Sequence, residues 1–181
     1  MNENKEQSEV INFYDARDPI YGFLSNFYKA SITIDNVTWP TTEHYFQASK
    51  FSSDTPMGRA YREIIRKANT GNKAALLGRQ KLKGQWSSKY TLNPQDNRLL
   101  KDLIEKYKEL KMRTDWDTVK NDVMKQALVS KFTQNPKLKI KLLNTGDATL
   151  HEYTNRDPYW GYPGKDQLGK LLMEVRESFK K

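Results

Sequence analysis

Apolar residues return at helical spacing in one stretch of this chain after another, which restricts it to folds built mainly from helices. The clearest stretch runs from Met57 to Ala68 and stops before Gly71. Thr55 and Pro56 stand at its start, where a capping threonine and a first-turn proline favour a helix. Similar signals predict further helices after Pro40, near Asn72, after Pro94, after Asp115, from Pro136 and after Asp166.

Strand patterns are few and short. Residues 10–14 are interpreted as one strand, and S-I-T-I-D-N-V-T-W predicts a hairpin that turns at Asp35-Asn36. Residues 148–153, which follow a T-G-D turn, are interpreted as another strand. The predicted fold class is therefore α+β: a mainly helical single domain over 10–181 with a small β-sheet, preceded by a flexible tail at 1–9.

Composition narrows the class of protein. Hydrophobic residues make up 36% of the chain and aromatic residues 12%, which is typical of a globular protein with a packed core. Cysteine is absent, which excludes disulfides and thiolate sites, and two histidines do not favour a histidine-rich metal site. With no apolar run near 18 residues and a polar start, we expect an intracellular protein, cytoplasmic or nuclear, with no membrane association. Since the sequence offers few residues of the kind that hold a metal, we also expect no metal and no cofactor.

The net charge of +9 favours polyanionic partners such as nucleic acid, nucleotides or phosphate esters. Residues 73–95 contain five Lys and Arg residues and no acidic residue, and they include Trp86 and Tyr90. This stretch is suited either to gripping a phosphodiester backbone while stacking on bases, or simply to forming a solvated surface.

Glu43, Gln47 and Lys50 fall on one stripe of the predicted helix in T-T-E-H-Y-F-Q-A-S-K. Positions i, i+4 and i+7 of a helix lie within roughly 40° of one another. Aromatic and small residues flank the stripe, which favours a cleft, although an exposed Glu/Lys face is the alternative. A carboxylate and an amine in a partly dry cleft are suited to acid–base or nucleophilic chemistry.

Three other segments carry polar residues that packing does not require. Asn26 interrupts the apolar run F-L-S-N-F-Y, where it either braces a loop or holds a ligand hydroxyl. Asp147 lies in the T-G-D turn, which either binds an anion or ribose or serves only as a turn. The loop at 155–169 offers Trp160 for stacking and backbone amides at the start of a helix.

The ordered set of these segments resembles the NADAR (YbiA-like) superfamily of N-glycosidases. The matching motifs, which span residues 11–176, are F-L-S-N-F-Y (23–28), W-P-T-T-E-H-Y-F-Q-A-S-K-F (39–51), L-G-R (77–79), D-W-D-T-V-K-N-D-V-M (115–124), A-L-V-S-K-F (127–132), L-L-N-T-G-D (142–147), D-P-Y-W-G (157–161) and L-G-K-L-L-M-E-V-R (168–176). A helical segment at about 82–110 stands between L-G-R and D-W as an insertion relative to simpler members.

The resemblance implies cleavage of N-glycosidic bonds to ribose, either in ADP-ribosylated guanine of nucleic acid or in riboflavin-pathway intermediates. The catalytic residues that it implies are Glu43, Lys50 and Asp157, and the substrate-binding residues are Asn26, Arg79, Trp116, Asp147, Trp160 and Gly161. The positive charge favours the ADP-ribosylated guanine substrate, so the expected partners are an ADP-ribose-bearing substrate and nucleic acid. A non-catalytic ADP-ribose or nucleic-acid binding module is the third hypothesis.

Bond cleavage at the anomeric carbon develops oxocarbenium character, which a carboxylate such as Glu43 can stabilise directly or by orienting water. Lys50 has two alternative roles. It is either a fixed cation or, with a pKa lowered by burial, a nucleophile that forms an imine with opened ribose.

Overall fold

A computed structural model describes residues 9–83, 98, 101–103 and 105–181. Its first strand, β1 (Val10–Phe13), pairs in parallel with β4 (Thr149–Glu152), and β2 (Ile32–Ile34) pairs with β3 (Val37–Trp39) as an antiparallel hairpin. Asp35 and Asn36, at φ 52° and 61°, form the two-residue hairpin turn in the left-handed conformation that Asn and Asp tolerate best. The predicted hairpin and both other strands are confirmed.

The helices begin at the signals that the sequence carries. They are α1 (Thr42–Ala48), α2 (Pro56–Arg66), α3 (Gly71–Lys83), α4 (Trp116–Gln134), α5 (Pro136–Leu143) and α6 (Gln167–Ser178), with a 3-10 turn at Gly22–Leu24. The hydroxyls of Thr41 and Thr55 accept backbone N–H groups in the first turns of α1 and α2. The α+β prediction is confirmed, whereas the predicted insertion falls largely on residues outside the described ranges.

Asp166 stands where the side chain of a helix cap is expected, but it does not act as one. Helix α6 does begin directly after Asp166, but the Asp166 side chain makes no capping hydrogen bond. Its carboxylate instead accepts hydrogen bonds from the His151 ring (2.6 Å) and the Glu152 backbone N–H (3.2 Å). The aspartate therefore ties the start of α6 to the end of β4.

Helix α1 lies between two hydrophobic clusters, and all seven of its residues are buried. Phe46 packs into a cluster that includes residues of β1, β4, α4 and α6, while Tyr45 and Ala48 pack into another that includes the hairpin, α2 and α3. A helix covered on both sides leaves its polar side chains two options: pair internally or line a cavity. Among the described helices, none has the length and apolar character needed to cross a bilayer.

Candidate active site

A cavity of about 720 Å³, here called the central cavity, opens beside α1. Six of the nine residues predicted for the site line it: Asn26, Glu43, Lys50, Arg79, Asp157 and Trp160. Gln47 lines it as well, so the whole Glu43–Gln47–Lys50 stripe faces a cleft and not bulk water. Because α1 ends at Ala48, Lys50 lies in the turn that follows the helix, not on the helix as the spacing suggested.

The Glu43 carboxylate is held in a dry environment. The residue is 5% exposed, and Gln47 Nε2 donates a hydrogen bond of 2.7 Å to Glu43 Oε1. Burial raises the pKa of Glu43, while the Gln47 hydrogen bond and the charges of Lys50 and Arg79 act in the opposite direction. These three groups favour the ionised carboxylate that a developing cation would need.

Lys50 is almost equally buried, and burial lowers the pKa of its amine to about 8, partly offset by the nearby Glu43 charge. Its Nζ lies 5.5 Å from the centre of the Phe46 ring and 5.9 Å from that of Trp116. The aromatic faces and the neighbouring carboxylate thus offset part of the cost of burying the ammonium group.

Asn26 connects the cavity wall to the start of α1. The Thr42 hydroxyl donates to the Asn26 carbonyl oxygen (3.0 Å) and to its Oδ1 (3.1 Å). The Glu43 backbone N–H donates to the same carbonyl at 3.1 Å. Asn26 therefore braces the loop against α1 while lining the cavity, so the two roles considered from the sequence are compatible.

The segment with Asp157 and Trp160 forms another wall. Asp157 Oδ1 accepts the backbone N–H groups of Tyr159 (3.0 Å) and Trp160 (3.1 Å), and this turn sets the direction of the Trp160 ring. That ring packs edge-on against Phe46 at 5.3 Å between centres. Gly161 does not line the cavity; its N–H donates to the Asp157 carbonyl, and a Cβ there would collide with the Thr154 side chain.

Two other predicted site residues lie away from the cavity surface. Trp116 is buried behind Lys50 and packs on Phe46 at 5.0 Å, so it supports the site without lining it. Asp147 forms the predicted turn but is exposed, with its carboxylate 2.6 Å from Lys180 Nζ. The turn precedes β4 whereas the cavity lies at the far end of that strand, so a four-residue strand separates Asp147 from the site.

Glu152, the last residue of β4, is the main cavity residue that the sequence motifs did not predict. It lines the central cavity and is 8% exposed. Burial raises its pKa to about 8, with further increases from the charges of Glu43, Asp157 and Asp166. The alternation of the strand was a usable signal, because Glu152 follows Leu150 by two residues and the side chains of both therefore point to the same buried face.

Basic groups also line the cavity. Lys73, Arg79 and Arg156 contribute, together with Asn69 and Thr70 at the start of α3. Such side chains suit a ligand that carries phosphate. Within the described ranges, no group of three or more His, Asp or Glu side chains is arranged to hold a metal ion.

Comparison with known proteins agrees with this geometry. The family model of the NADAR domain matches residues 12–180. N-glycosidase YbiA of Escherichia coli (strain K12) is 39% identical over 175 residues, which cover 94% of this chain and 89% of that protein. The protein named riboflavin biosynthesis protein PYRR, chloroplastic, of Zea mays is 36% identical over 94% of this chain and 25% of its own length.

The NMR structure of Escherichia coli YbiA has the same fold. It matches this chain with a TM-score of 0.70 at 39% identity, covering 96% of this chain and 86% of that one. The family match spans nearly the whole chain and includes every residue of the central cavity described above. The chain therefore belongs to the NADAR family of N-glycosidases and is a glycosidase-type hydrolase.

Proposed function

We propose that this enzyme hydrolyses the N-glycosidic bond between ADP-ribose and the guanine amino group of modified nucleic acid or nucleoside, and so reverses guanine ADP-ribosylation. The main support is the buried Glu43 carboxylate, which is bonded to Gln47, lies near Lys50 and faces the central cavity. The cavity volume of about 720 Å³ is suited to a ligand of nucleotide size.

The chemistry follows from the charge that develops at the anomeric carbon. As the bond to nitrogen breaks, the ribose acquires oxocarbenium character, and the ionised Glu43 stabilises this cation through space. Lys50 acts as a fixed cation whose charge favours the ionised form of Glu43 against the effect of burial, because its pKa of about 8 leaves most of the amine protonated at neutral pH. Asp157 contributes a second carboxylate from another wall of the cavity.

Recognition of the ADP-ribose part uses the remaining lining residues. Lys73, Arg79 and Arg156 carry the positive charges that a pyrophosphate needs. Trp160 offers an aromatic face for one of the two bases. The net charge of +9 favours a polyanionic substrate over a small neutral one.

A riboflavin-pathway N-glycoside is the second candidate substrate. Its support is the name of the maize relative, a riboflavin biosynthesis protein, together with a cleavage step that requires the same carboxylate and amine. This substrate needs no nucleic-acid surface, so the positive charge counts against it. The non-catalytic binding module has no comparable support, because the chain belongs to a family of N-glycosidases.

Side-by-side turnover tests the assignment. The enzyme is incubated with an oligonucleotide that carries ADP-ribosylated guanine and, separately, with the riboflavin-pathway intermediate, and the products are separated by chromatography. We expect free ADP-ribose and intact guanine from the first substrate. Release of sugar from the flavin intermediate alone contradicts the assignment and favours the second candidate.

A further inference from the structure

Glu152 is a buried carboxyl group for which the described part of the chain provides no polar partner. Its side chain reaches the central cavity, and among the described residues it makes no hydrogen bond or ion pair. Buried polar groups are almost always hydrogen-bonded, and an exception inside a cavity points to a ligand as the missing partner.

The backbone on both sides of Glu152 is firmly held. Its N–H donates to Asp166 Oδ1 at 3.2 Å, and its carbonyl accepts the N–H of Tyr162 at 2.8 Å. Glu152 also pairs with Phe13 in the β1–β4 register. The carboxyl group is therefore presented to the cavity from a fixed point, which a residue that takes part in chemistry requires.

Burial raises the pKa of both Glu43 and Glu152, but most of the neighbouring charged and polar groups act in opposite directions on the two carboxyl groups. Glu43 receives a hydrogen bond from Gln47 and the positive charges of Lys50 and Arg79. Around Glu152, by contrast, the charged groups that act on it are the carboxylates of Glu43 on α1, Asp157 in the 153–166 loop and Asp166 at the start of α6, and all three raise its pKa. Two carboxyl groups in one cavity whose environments differ in this way divide the roles of ionised stabiliser and proton donor.

We propose that Glu152 is a catalytic residue: the general acid that protonates the departing base nitrogen during glycosidic cleavage. This inference rests on the proposed N-glycosidase reaction and adds to it the group that supplies the proton.

In this scheme Glu152 donates one proton and later recovers one. The anomeric C–N bond breaks with its electron pair moving to nitrogen, and that nitrogen takes the proton of the Glu152 carboxylic acid. Water then forms a bond to the anomeric carbon and gives a proton to the Glu152 carboxylate, which restores the acid. Glu43 stays an anion throughout and stabilises the cation between the two steps.

A leaving-group comparison tests this role. Two glycosides of ADP-ribose with the same anomeric configuration are used, one bearing guanine and the other bearing 4-nitrophenol, which departs as an anion without a proton. Wild type, Glu152→Gln and Glu174→Gln are compared; Glu174 is an exposed carboxylate on α6 that pairs with Lys125. Thermal unfolding checks that each variant is folded.

For Glu152→Gln we expect kcat on the guanine glycoside to fall about 100-fold or more, with near wild-type kcat on the 4-nitrophenyl glycoside. Glu174→Gln should match wild type on both substrates. Equal losses on the two glycosides, or no loss on either, overturn the inference while leaving the proposed function standing. A wild-type enzyme that cleaves neither glycoside overturns both.

Should Glu152→Gln fail to fold, Glu152→Asp provides the same test. This variant keeps the carboxylic acid on a side chain that is shorter by one methylene group. We therefore expect kcat to fall on the guanine glycoside and to stay near wild type on the 4-nitrophenyl glycoside. Loss on both substrates contradicts the assignment.

Discussion

The side chain of Gln47 lies directly against the backbone of Gly78, and any side chain at position 78 would occupy its space. A Cβ built on Gly78 collides with Gln47 Oε1 and lies 2.8 Å from Gln47 Cδ. The nitrogen of the same amide group, Gln47 Nε2, donates a hydrogen bond of 2.7 Å to Glu43 Oε1. The close packing of α3 on α1 therefore positions the Gln47 amide group that donates to the Glu43 carboxylate.

Gly78→Ala is accordingly expected to lower kcat by about tenfold or more, because the displaced amide leaves the Glu43 carboxylate without its charge-assisted hydrogen bond. Helix propensity favours alanine over glycine, which offsets part of the steric cost to stability. Steady-state kinetics of Gly78→Ala, Gln47→Ala and the double variant measure the coupling. In the Gln47→Ala background, Gly78→Ala should cost little further activity; a full additional loss would show that position 78 acts independently of Gln47.

Lys50 is expected to act as a fixed cation and not as a nucleophile. Burial does lower its pKa, as the nucleophile role would require, but a value of about 8 still leaves only about a tenth of the amine neutral at pH 7. Treatment with borohydride during turnover, followed by mass spectrometry, should give no adduct on Lys50. Lys50→Arg, which keeps the charge, should retain more activity than Lys50→Ala. A trapped ribose adduct on Lys50 would establish the imine route instead.

Lys131 on α4 is fully buried and should destabilise the native state below neutral pH. Its Nζ donates to the Ser25 carbonyl at 2.9 Å, and burial lowers its pKa from 10.5 to about 7. The folded protein thus binds fewer protons than the unfolded chain between pH 7 and 10.5, so Lys131 makes stability rise with pH in that window. Below pH 7 the cost of the buried charge is present in full.

Replacement by an apolar side chain of similar length tests this cost. Lys131→Met is expected to be more stable than wild type by about 1–4 kcal/mol at pH 6, and the difference should shrink as the pH approaches 10.5. Urea unfolding across this pH range measures it. Because Ser25 directly precedes Asn26, which accepts the Glu43 backbone N–H, kcat should fall in the same variant. A stability difference that does not change with pH contradicts the buried charge.

Trp116, which packs against Lys50, and Trp160, which lines the cavity, should respond differently to truncation. Trp160 lines the cavity, so Trp160→Ala should raise KM by about tenfold through the loss of base stacking. Trp116 is buried, and Trp116→Ala should instead lower stability by about 3–5 kcal/mol. Kinetics and chemical unfolding of both variants separate the roles. Unchanged KM in Trp160→Ala would remove this residue from substrate binding.

Local signals made most of the fold predictable. Thr41, Thr55 and Pro56 mark helix starts through contacts within a few residues, and the Asp35-Asn36 turn sets the hairpin in the same way. Such features depend on neighbours in the sequence, so they can be read without knowledge of the tertiary fold.

The site was predictable only in part, because its completion depends on contacts between distant segments. Helical spacing aligned Glu43 with Gln47, yet the helix ends before Lys50, and only the turn after α1 brings that amine to the cavity. Glu152 reaches the site through the pairing of β4 with β1, which no local pattern specifies. The distance of Asp147 from the cavity has the same origin, since its turn lies at the opposite end of that strand.

Release of free ADP-ribose from an oligonucleotide bearing ADP-ribosylated guanine is the decisive test of the proposed hydrolysis. Wild type should release ADP-ribose and leave unmodified guanine, while Glu43→Gln and Lys50→Ala should each be slower by about 100-fold or more. Asp147→Ala, which removes an exposed carboxylate away from the cavity, serves as the matched control and should equal wild type. Retained activity in both Glu43→Gln and Lys50→Ala would contradict the assignment of the active site.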